Sequence, residues 1–376
     1  MTRTPFSFVR RSARRSARAS AATTSTATAT KAATAALAAL TVGLLVAGCT
    51  STAPDAGSAN GSNTDESGDL QQVTLMLNWT PNAHHAGIYY AEQNGLYADA
   101  GIDLEIIEPG ADIGADAAVA EGQVEFGISQ AESLLPARAA GMDIEAIATL
   151  LPVNDSVLMG LEGTGLTEYP ASLGGLTYGG YGGALETEIM SELATCGGAD
   201  PKSIEFIDIG NVDYLAGLAQ DRFDVTWVFG GWDALRAQSE RDDVVILPMS
   251  AHEDCIPNWY TPVIVGNGEA MAADPELTRA FLEATSAGYE AVAEDPKAGA
   301  DALLAGAPEL DETLVRDAVK YYAPLFQTDA DGEAGRFGQM EEPVWIRFTD
   351  FLVQAGMLDD TTPLDGAWTN DYLPAA

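Results

Sequence analysis

Several aromatic and amide residues lie where they could bind a flat ring. Asn78 and Trp79 follow directly on the apolar run 73–77, which reads as a strand. An indole offers a face for stacking, and an amide side chain offers an acceptor and two donors for ring nitrogens and an exocyclic amine. Tyr181 lies within the glycine cluster 179–183, which forms either an ordinary tight turn or a place where backbone amides approach a ligand at a helix start. This combination predicts non-covalent binding of a small, flat heteroaromatic molecule.

Further candidates follow other predicted strands or begin helices. His85 stands near the start of a helix, where it could contact the ligand or cap the helix. Glu186 stands in the first turn of a helix, so it could accept hydrogen bonds from an amino group or serve as a surface carboxylate favoured by the helix dipole. Trp227 is slightly favoured over Trp232 as a second-lobe aromatic, and Trp259 stays an alternative. The predicted ligand contacts are Asn78, Trp79, His85, Gln130, Tyr181, Glu186, Trp227 and Tyr260.

Catalytic and metal-dependent chemistry lack the residues they need. The chain has three histidines, and His84 and His85 are adjacent, so on a helix they point in different directions and do not readily form a three-ligand metal set. The segment 127–131 loosely resembles a nucleophile elbow, but its last glycine is missing and no histidine–acid pair is placed to serve it. The glycine cluster 179–183 lacks the lysine of a P-loop. We predict no catalytic residue, no metal and no cofactor.

The first 70 residues predict the compartment. Six arginines precede the apolar run 35–47, which is too short to span a bilayer comfortably but suits a signal peptide. It ends in Val-Ala-Gly-Cys at 46–49, which is typical of a lipobox, with a plain signal anchor as the alternative. We expect a signal peptide over 1–48, a lipid on Cys49 and a flexible tether over 49–70. The folded part would then work outside the cytoplasm, held to the cell membrane by that lipid.

Charge and cysteine content exclude several partners and chemistries. The chain carries 56 acidic and 18 basic residues, a net charge of −38. A surface this acidic repels nucleic acid and anionic lipid, so neither is expected as a partner. With Cys49 assigned to the lipid, Cys196 and Cys255 remain, and they could pair or stay as free thiols. The absence of a C-x-x-C motif argues against thiol redox chemistry and a zinc–cysteine site.

The elements that must position these residues alternate between strand and helix. Apolar runs at 73–77, 102–107 and 124–128 are separated by segments of helical period, and the pattern restarts after Pro170. Such alternation predicts an α/β fold of parallel sheets with helices on both faces. We expect two hinged lobes, each with a mostly parallel sheet, around a cleft outside the carboxyl ends of the strands. The predicted crossings lie near 155–160 and 260–265, with lobe 1 over 71–157 and 263–376 and lobe 2 over 158–262.

Short motifs along the chain resemble one family. They lie at 77–82 (Leu-Asn-Trp-Thr-Pro-Asn), 85–89, 101–106, 180–183 and 367–373. Together they resemble the thiamine-pyrimidine family, which contains formylaminopyrimidine-binding lipoproteins of ABC importers and the yeast-type pyrimidine synthases. The resemblance implies a periplasmic-binding-protein fold of the second type, and it supports a histidine at position 85 as a ligand contact.

The same resemblance implies what the protein does. It implies capture of a thiamine-precursor pyrimidine, of the formylaminopyrimidine or hydroxymethylpyrimidine type, and its delivery to the permease and ATPase subunits of an ABC importer. Riboflavin or another heteroaromatic is the alternative ligand. A synthase is the alternative class, but those enzymes hold pyridoxal phosphate on a lysine, which the resemblance places at Asn94, and their cysteine-rich motif is reduced here to Cys255. We therefore expect a binding protein rather than an enzyme.

Overall fold

The computed structural model describes residues 70–110, 113–210 and 212–375. The predicted signal peptide, the lipidation of Cys49 and, apart from Leu70, the predicted tether lie outside these residues. Among the residues described, no helix combines the length and the apolar character that crossing a membrane requires.

Ten strands in this part of the chain form two five-stranded sheets. In chain order they are β1 (Gln71–Met76), β2 (Ile102–Ile107), β3 (Phe126–Ser129), β4 (Glu145–Thr149), β5 (Ser156–Leu161), β6 (Thr177–Gly180), β7 (Glu205–Asp208), β8 (Val225–Phe229), β9 (Val244–Pro248) and β10 (Val263–Gly266). The order is β2-β1-β3-β10-β4 in the first sheet and β7-β6-β8-β5-β9 in the second. The two sheets, which we call lobe 1 and lobe 2 together with their helices, therefore share one topology.

Twelve α-helices in the described residues accompany these sheets. Several begin with a side-chain cap followed by proline, as at Asp274–Pro275 and Asp295–Pro296, because proline tolerates the first helical position and the carboxylate accepts the free amides. The helices are α1 (Ala86–Gln93), α2 (Leu96–Asp99), α3 (Ala115–Ala120), α4 (Ala131–Ala139), α5 (Ala184–Cys196), α6 (Tyr214–Ala219), α7 (Leu235–Glu240), α8 (Gly268–Ala273), α9 (Pro275–Glu294), α10 (Pro296–Gly306), α11 (Glu312–Tyr322) and α12 (Glu342–Gln354).

Four of the five strands in each sheet run in the same direction, and one is reversed. In lobe 1, β1 is parallel to β2 and β3, while β10 is antiparallel to β3 and β4. Lobe 2 repeats this arrangement with β5 as the reversed strand. The reversed strands are those by which the chain enters one lobe from the other, so they start at the edge where the other strands end. The predicted α/β class and the common strand direction are confirmed, in sheets that are mixed rather than purely parallel.

The chain passes between the lobes twice, over 150–155 and 249–262. The first crossing meets the predicted range 155–160 at Asp155, and the rest of that range lies within β5. The second crossing ends where β10 begins, inside the predicted range 260–265. Both crossings therefore reach the sheets at the cleft edge.

Asp155, the last residue of the first crossing, contacts both lobes. Its carboxylate accepts hydrogen bonds from the hydroxyls of Tyr321 (2.8 Å) and Tyr322 (2.6 Å), both in α11 of lobe 1. It also accepts the N–H of Gly231, which follows β8 in lobe 2, at 2.8 Å. Burial raises the pKa of Asp155, and these hydrogen bonds oppose that shift.

Close packing between α1 and α9 holds the turn Ala83–His85 at the cleft edge. A Cβ on Gly288 would lie 2.2 Å from the carbonyl oxygen of Gly87, and one on Gly87 would lie 2.3 Å from the ring of Tyr289, so glycine is required at both positions. The Tyr289 hydroxyl donates to the carbonyl oxygen of His84 at 2.7 Å. The turn is thereby fixed to the body of lobe 1.

Cys196 and Cys255 form a disulfide, with their Cα atoms 5.5 Å apart. The bond joins the last residue of α5 to the second crossing and spans a sequence separation of 59 residues. The pairing that the sequence left open is therefore present in the structure.

A double variant, Cys196→Ser with Cys255→Ser, should unfold more easily than the oxidised wild type. A cross-link over a loop of this length restricts the unfolded chain, and its removal should lower the free energy of unfolding by about 2–5 kcal/mol. Guanidinium denaturation followed by circular dichroism measures this difference. Wild type treated with dithiothreitol should behave like the variant, and equal midpoints for the variant and the oxidised wild type would contradict the expectation.

Candidate ligand-binding site

A cavity of about 230 Å³ opens between the two lobes, at the carboxyl ends of their strands. Six of the eight predicted contacts line it, namely Asn78, Trp79, Gln130, Tyr181, Glu186 and Trp227. The lining also includes residues that were not among the eight predicted contacts, namely Asn82, His84, Glu132, Tyr214, Phe229, Trp232 and Asp233. The structure brings these side chains together, and ligand binding by them remains a prediction.

Trp79 and Tyr181 stand at the mouth of the cavity, one from each lobe. Their side chains remain 43% and 47% exposed, which distinguishes them from core aromatics. The two rings meet edge to face with centroids 5.9 Å apart. The Tyr181 hydroxyl is hydrogen-bonded to that of Tyr214, so Tyr214 fixes the position of the Tyr181 side chain within lobe 2. The predicted aromatic faces from opposite lobes are thus present, in contact with one another.

His85 was predicted to contact the ligand, but it lies behind the cavity wall and does not line the cavity. The ring is fully buried, and burial lowers its pKa to about 3, so it is neutral. Its Nδ1 accepts the N–H of Asn82 at 3.3 Å, which leaves the proton on Nε2. Nε2 lies 3.1 Å from Oδ1 of Asn78 and donates to it. His85 therefore orients Asn78 so that its amide NH₂ is left for a ligand.

Tyr260 also lies away from the cavity, contrary to the prediction. Its ring is buried against Trp345, and its hydroxyl accepts the N–H of Glu341 at 2.7 Å. The neighbouring Trp259 is equally buried, while Trp227 and Trp232 both line the cavity. Closeness to a crossing does not determine side-chain direction, because the chain there already packs into lobe 1.

Glu132, in the first turn of α4, supplies a carboxyl group from lobe 1. Its Oε2 accepts the indole N–H of Trp259 at 2.8 Å, and its Oε1 lies 3.5 Å from the hydroxyl of Thr261. Burial raises the pKa of Glu132 to about 7, and these hydrogen bonds oppose that shift. The sequence signal was its position two residues past Gln130, in a helix that begins where β3 ends.

Glu186, in the first turn of α5, supplies a carboxyl group from lobe 2. It accepts hydrogen bonds from the Tyr178 hydroxyl and from the N–H of Tyr181, the latter at 2.9 Å. A Cβ at Gly180 would lie 2.4 Å from Oε1 of Glu186, so this glycine makes room for the carboxylate. Glu186 thus anchors the segment that carries Tyr181 as well as lining the cavity.

His84 and Asp233 complete the polar lining. His84 lies between Phe229 and Tyr322, with ring centroids 5.0 and 4.4 Å away, and its Nε2 has no hydrogen-bond partner. Burial and, secondarily, the neighbouring His85 lower the pKa of His84 to about 3. Burial raises the pKa of Asp233 to about 6, with a nearby arginine opposing the shift. A neutral imidazole and a protonatable carboxyl therefore face the same space.

The lining combines aromatic rings, amides and carboxyls without a positive side chain. Within the described residues, no lysine, arginine or cysteine lines this cavity, and no three histidine, cysteine or acidic side chains are grouped as metal ligands would be. Asn94 is exposed at the end of α1, where its side chain donates to the Tyr90 carbonyl oxygen at 2.9 Å. The sequence argument that used Asn94 against an enzyme is therefore wrong, because that position does not line the cavity.

A larger depression of about 690 Å³ lies elsewhere, beside Arg138 and the acidic segment 359–365. The Arg138 guanidinium already donates to the carbonyl oxygens of Ile144, Pro363 and Asp365 at 2.6, 2.9 and 2.5 Å. This arginine holds the C-terminal segment against α4, and three of its five N–H groups are engaged by these carbonyl oxygens. The cleft between the lobes is the candidate site.

Relatives with similar sequences include both binding proteins and synthases. A 4-amino-5-hydroxymethyl-2-methylpyrimidine phosphate synthase of Legionella pneumophila is 27% identical over 81% of this chain and 92% of its own. A formylaminopyrimidine-binding protein of Halalkalibacterium halodurans is 23% identical over 87% and 95%, respectively. A riboflavin-binding protein, RibY of Chloroflexus aurantiacus, is 25% identical over 88% and 95%.

Solved structures show the same fold. The ligand-binding component of an ABC-type import system from Staphylococcus aureus, with zinc bound, aligns with a TM-score of 0.59 and 14% identity over 81% of this chain and 96% of that one. The Candida albicans CA3427 gene product, described as having the generic periplasmic binding protein fold, aligns with a TM-score of 0.56 and 14% identity over 82% and 99%. The predicted periplasmic-binding-protein fold is confirmed. The NMT1/THI5-like family description matches residues 82–299, more than half of the sequence, and the chain belongs to this family.

Proposed function

We propose that this protein is the substrate-binding lipoprotein of an ABC importer and captures a thiamine-precursor pyrimidine. The observation that carries the proposal is the cavity between the lobes, which is walled by aromatic rings and carboxyls and has no positive side chain among its described lining residues. The formylaminopyrimidine-binding relative and the import-system neighbour support this role. Its partners would be the permease and ATPase subunits, and the lipid on Cys49 would hold it at the outer face of the cell membrane.

The lining complements the edges of an aminopyrimidine. An exocyclic amine donates to the carboxyl of Glu132, which is already oriented by Trp259. Ring nitrogens accept from the Asn78 amide, whose oxygen is engaged by His85. Trp79 and Trp227 provide aromatic faces for the ring itself.

The cavity volume favours a single ring over a larger one. Pockets for drug-sized ligands begin at roughly 300 Å³. At about 230 Å³, this cavity suits a monocyclic pyrimidine better than the three-ring system of riboflavin. Riboflavin therefore stands as the alternative ligand of the same transport role.

The residues present do not fit the cofactor of the related synthases. Pyridoxal phosphate is held in such enzymes by a lysine Schiff base, and its phosphate needs hydrogen-bond donors or positive charge. The lysines after Cys49 are Lys202, Lys297 and Lys320, and none of them lines the cavity. Capture and release of the ligand, with no covalent step, agrees best with this lining.

A thermal-shift screen of the purified protein tests the ligand. Hydroxymethylpyrimidine, formylaminopyrimidine, thiamine, riboflavin and pyridoxal are each added in excess over the protein. A ligand at about 100 times its Kd stabilises the folded state by about 2.7 kcal/mol, so the pyrimidines should raise the melting temperature by several degrees. If riboflavin alone raised the melting temperature, riboflavin would replace the pyrimidine as the proposed ligand. If none of the compounds raised the melting temperature, the proposal would be contradicted.

Trp79→Ala should weaken pyrimidine binding while leaving the fold intact. Loss of one stacking face costs about 1–3 kcal/mol, which corresponds to roughly a 5- to 150-fold higher Kd. Isothermal titration calorimetry measures the Kd, and Tyr169→Ala, at an aromatic that is 62% exposed outside the cavity, is the matched control. An unchanged Kd for the Trp79 variant would remove this residue from the site.

Glu132→Gln should reduce the pH dependence of stability. The pKa of Glu132 is about 7 in the folded protein and near the ordinary 4.5 in the unfolded chain, so its contribution is fully present below pH 4.5 and is lost as the pH rises towards 7. Between pH 4.5 and 7.5, the wild type should lose about 1–3 kcal/mol of unfolding free energy relative to the variant. Urea denaturation at both pH values measures this, with the exposed Glu342→Gln, also in a first helical turn, as control. Parallel pH profiles for Glu132→Gln and wild type would refute it.

A further inference from the structure

Three carboxyl side chains line the cavity between the lobes, and they differ in what they already bind. Glu132 and Glu186 each have a hydrogen-bond donor of the protein at both of their oxygens. Asp233, in the single turn Gly230–Ala234 that follows β8, accepts no hydrogen bond from any group in the described residues. Its carboxyl group is therefore the one in this lining whose two oxygens are both without a donor.

Both oxygens of Asp233 remain accessible. The residue is part-buried, and neither of its oxygens is sealed from solvent. The space that it borders is the ring cavity together with an adjoining depression of about 350 Å³, which also shares Trp79 and Trp232 with that cavity. Two neighbouring carboxyl oxygens of this kind suit a partner that offers two parallel hydrogen bonds.

The nearby arginine does not neutralise Asp233 by direct contact. Arg236 is paired with Asp213 at 2.8 Å and lies 4.0 Å from Glu240, and no ion pair joins it to Asp233 among the residues described. Burial raises the pKa of Asp233 to about 6, and the charge of Arg236 opposes this shift only in part. The carboxyl group is therefore mostly ionised at neutral pH, but it readily holds a proton when a weak base lies beside it.

The surroundings of Asp233 contain several other ionisable groups, namely Arg236, Asp213, Tyr181, Tyr214, Glu132, Glu186 and His84. Burial raises the pKa of both tyrosines and lowers that of His84 to about 3, so these three groups are neutral between pH 7.5 and 8.5. Burial also raises the pKa of Glu132 to about 7, so an experiment on Asp233 needs a Glu132 variant as a control.

An aminopyrimidine carries the edge that matches such a carboxyl group. A ring nitrogen and the exocyclic amine stand side by side, as an acceptor and a donor, or as two donors when the ring nitrogen is protonated. A carboxyl group forms two parallel hydrogen bonds with this edge when the pair holds one proton between them, on the carboxyl oxygen or on the ring nitrogen.

We propose that Asp233 is a specificity-determining contact, which pairs with a ring nitrogen and the exocyclic amine of the ligand through two hydrogen bonds and shares one proton with that nitrogen. This inference rests on the proposed pyrimidine-binding function. Glu132 then accepts the second N–H of the amine, and Asn78 donates to the other ring nitrogen. When the ligand is neutral and Asp233 is ionised before binding, the shared proton is taken up from solution.

The pH dependence of affinity tests this pairing. Calorimetry with 4-amino-5-hydroxymethyl-2-methylpyrimidine on the purified full chain measures the Kd at pH 7.5 and 8.5. Uptake of one proton should raise the Kd of the wild type about tenfold over this range. Asp233→Asn should change its Kd by less than about twofold, because an amide offers a fixed donor and acceptor to the neutral edge, as asparagine does to adenine. Glu132→Gln and Asp242→Asn, the latter at an exposed position of lobe 2, should keep the tenfold change.

The outcomes separate the pairing from the proposed function. An equal Kd of the wild type at both pH values would overturn the pairing while leaving pyrimidine binding in place, and so would a tenfold change that Asp233→Asn retains. Absence of binding by the wild type at both pH values would overturn the proposed function and the pairing with it.

A measurement on the wild type decides even if Asp233→Asn does not fold. The same pyrimidine, labelled with ¹⁵N in the ring, is observed by NMR when bound at pH 7.5. The signal of one ring nitrogen should move towards its position in the protonated compound. Ring nitrogen signals that both stay at the positions of the neutral compound would overturn the pairing.

Discussion

The fold depends on one constraint, that both crossings enter a sheet at the edge where its other strands end. Each sheet therefore turns the carboxyl ends of four strands towards the other lobe, and the reversed strands β5 and β10 begin there. Residues that follow β1, β3, β6 and β8 are brought to one space without any long loop. Gln130 and Tyr181 follow directly on the ends of β3 and β6, and Asn78 lies two residues past the end of β1. For this reason, side chains that are spread over more than 150 residues of sequence line one cavity.

Burial determines the protonation of the groups at this cavity. The two adjacent histidines are kept neutral, so the proton of His85 is available to orient Asn78. The carboxyl of Glu132 is held close to half-protonated at neutral pH. Among the described residues that line the cavity, no lysine or arginine offers a counter-charge to an anion.

The sequence was sufficient for the parts that depend on strand ends. Trp79 and Tyr181 line the cavity as predicted from position, because alternation locates the strands and the strand ends locate the cleft, whereas Trp227 lines it from within β8. His85 and Tyr260 were predicted to contact the ligand, but neither lines the cavity. The direction of a side chain within a turn or a crossing depends on packing against distant elements, here α9 and Trp345. Glu132 and Asp233 were not predicted because their raised pKa values come from burial, which no local sequence pattern reveals. The unpartnered Nε2 of His84 likewise becomes visible only when Phe229 from the other lobe lies against the ring.

The shared carboxylate at the first crossing has a consequence for motion. Asp155 is bonded to α11 of lobe 1 and to the amide of Gly231, and Trp232 and Asp233 of the cavity wall come next in the chain. A rotation of one lobe against the other would therefore have to shift the segment that carries these two residues or break hydrogen bonds of Asp155.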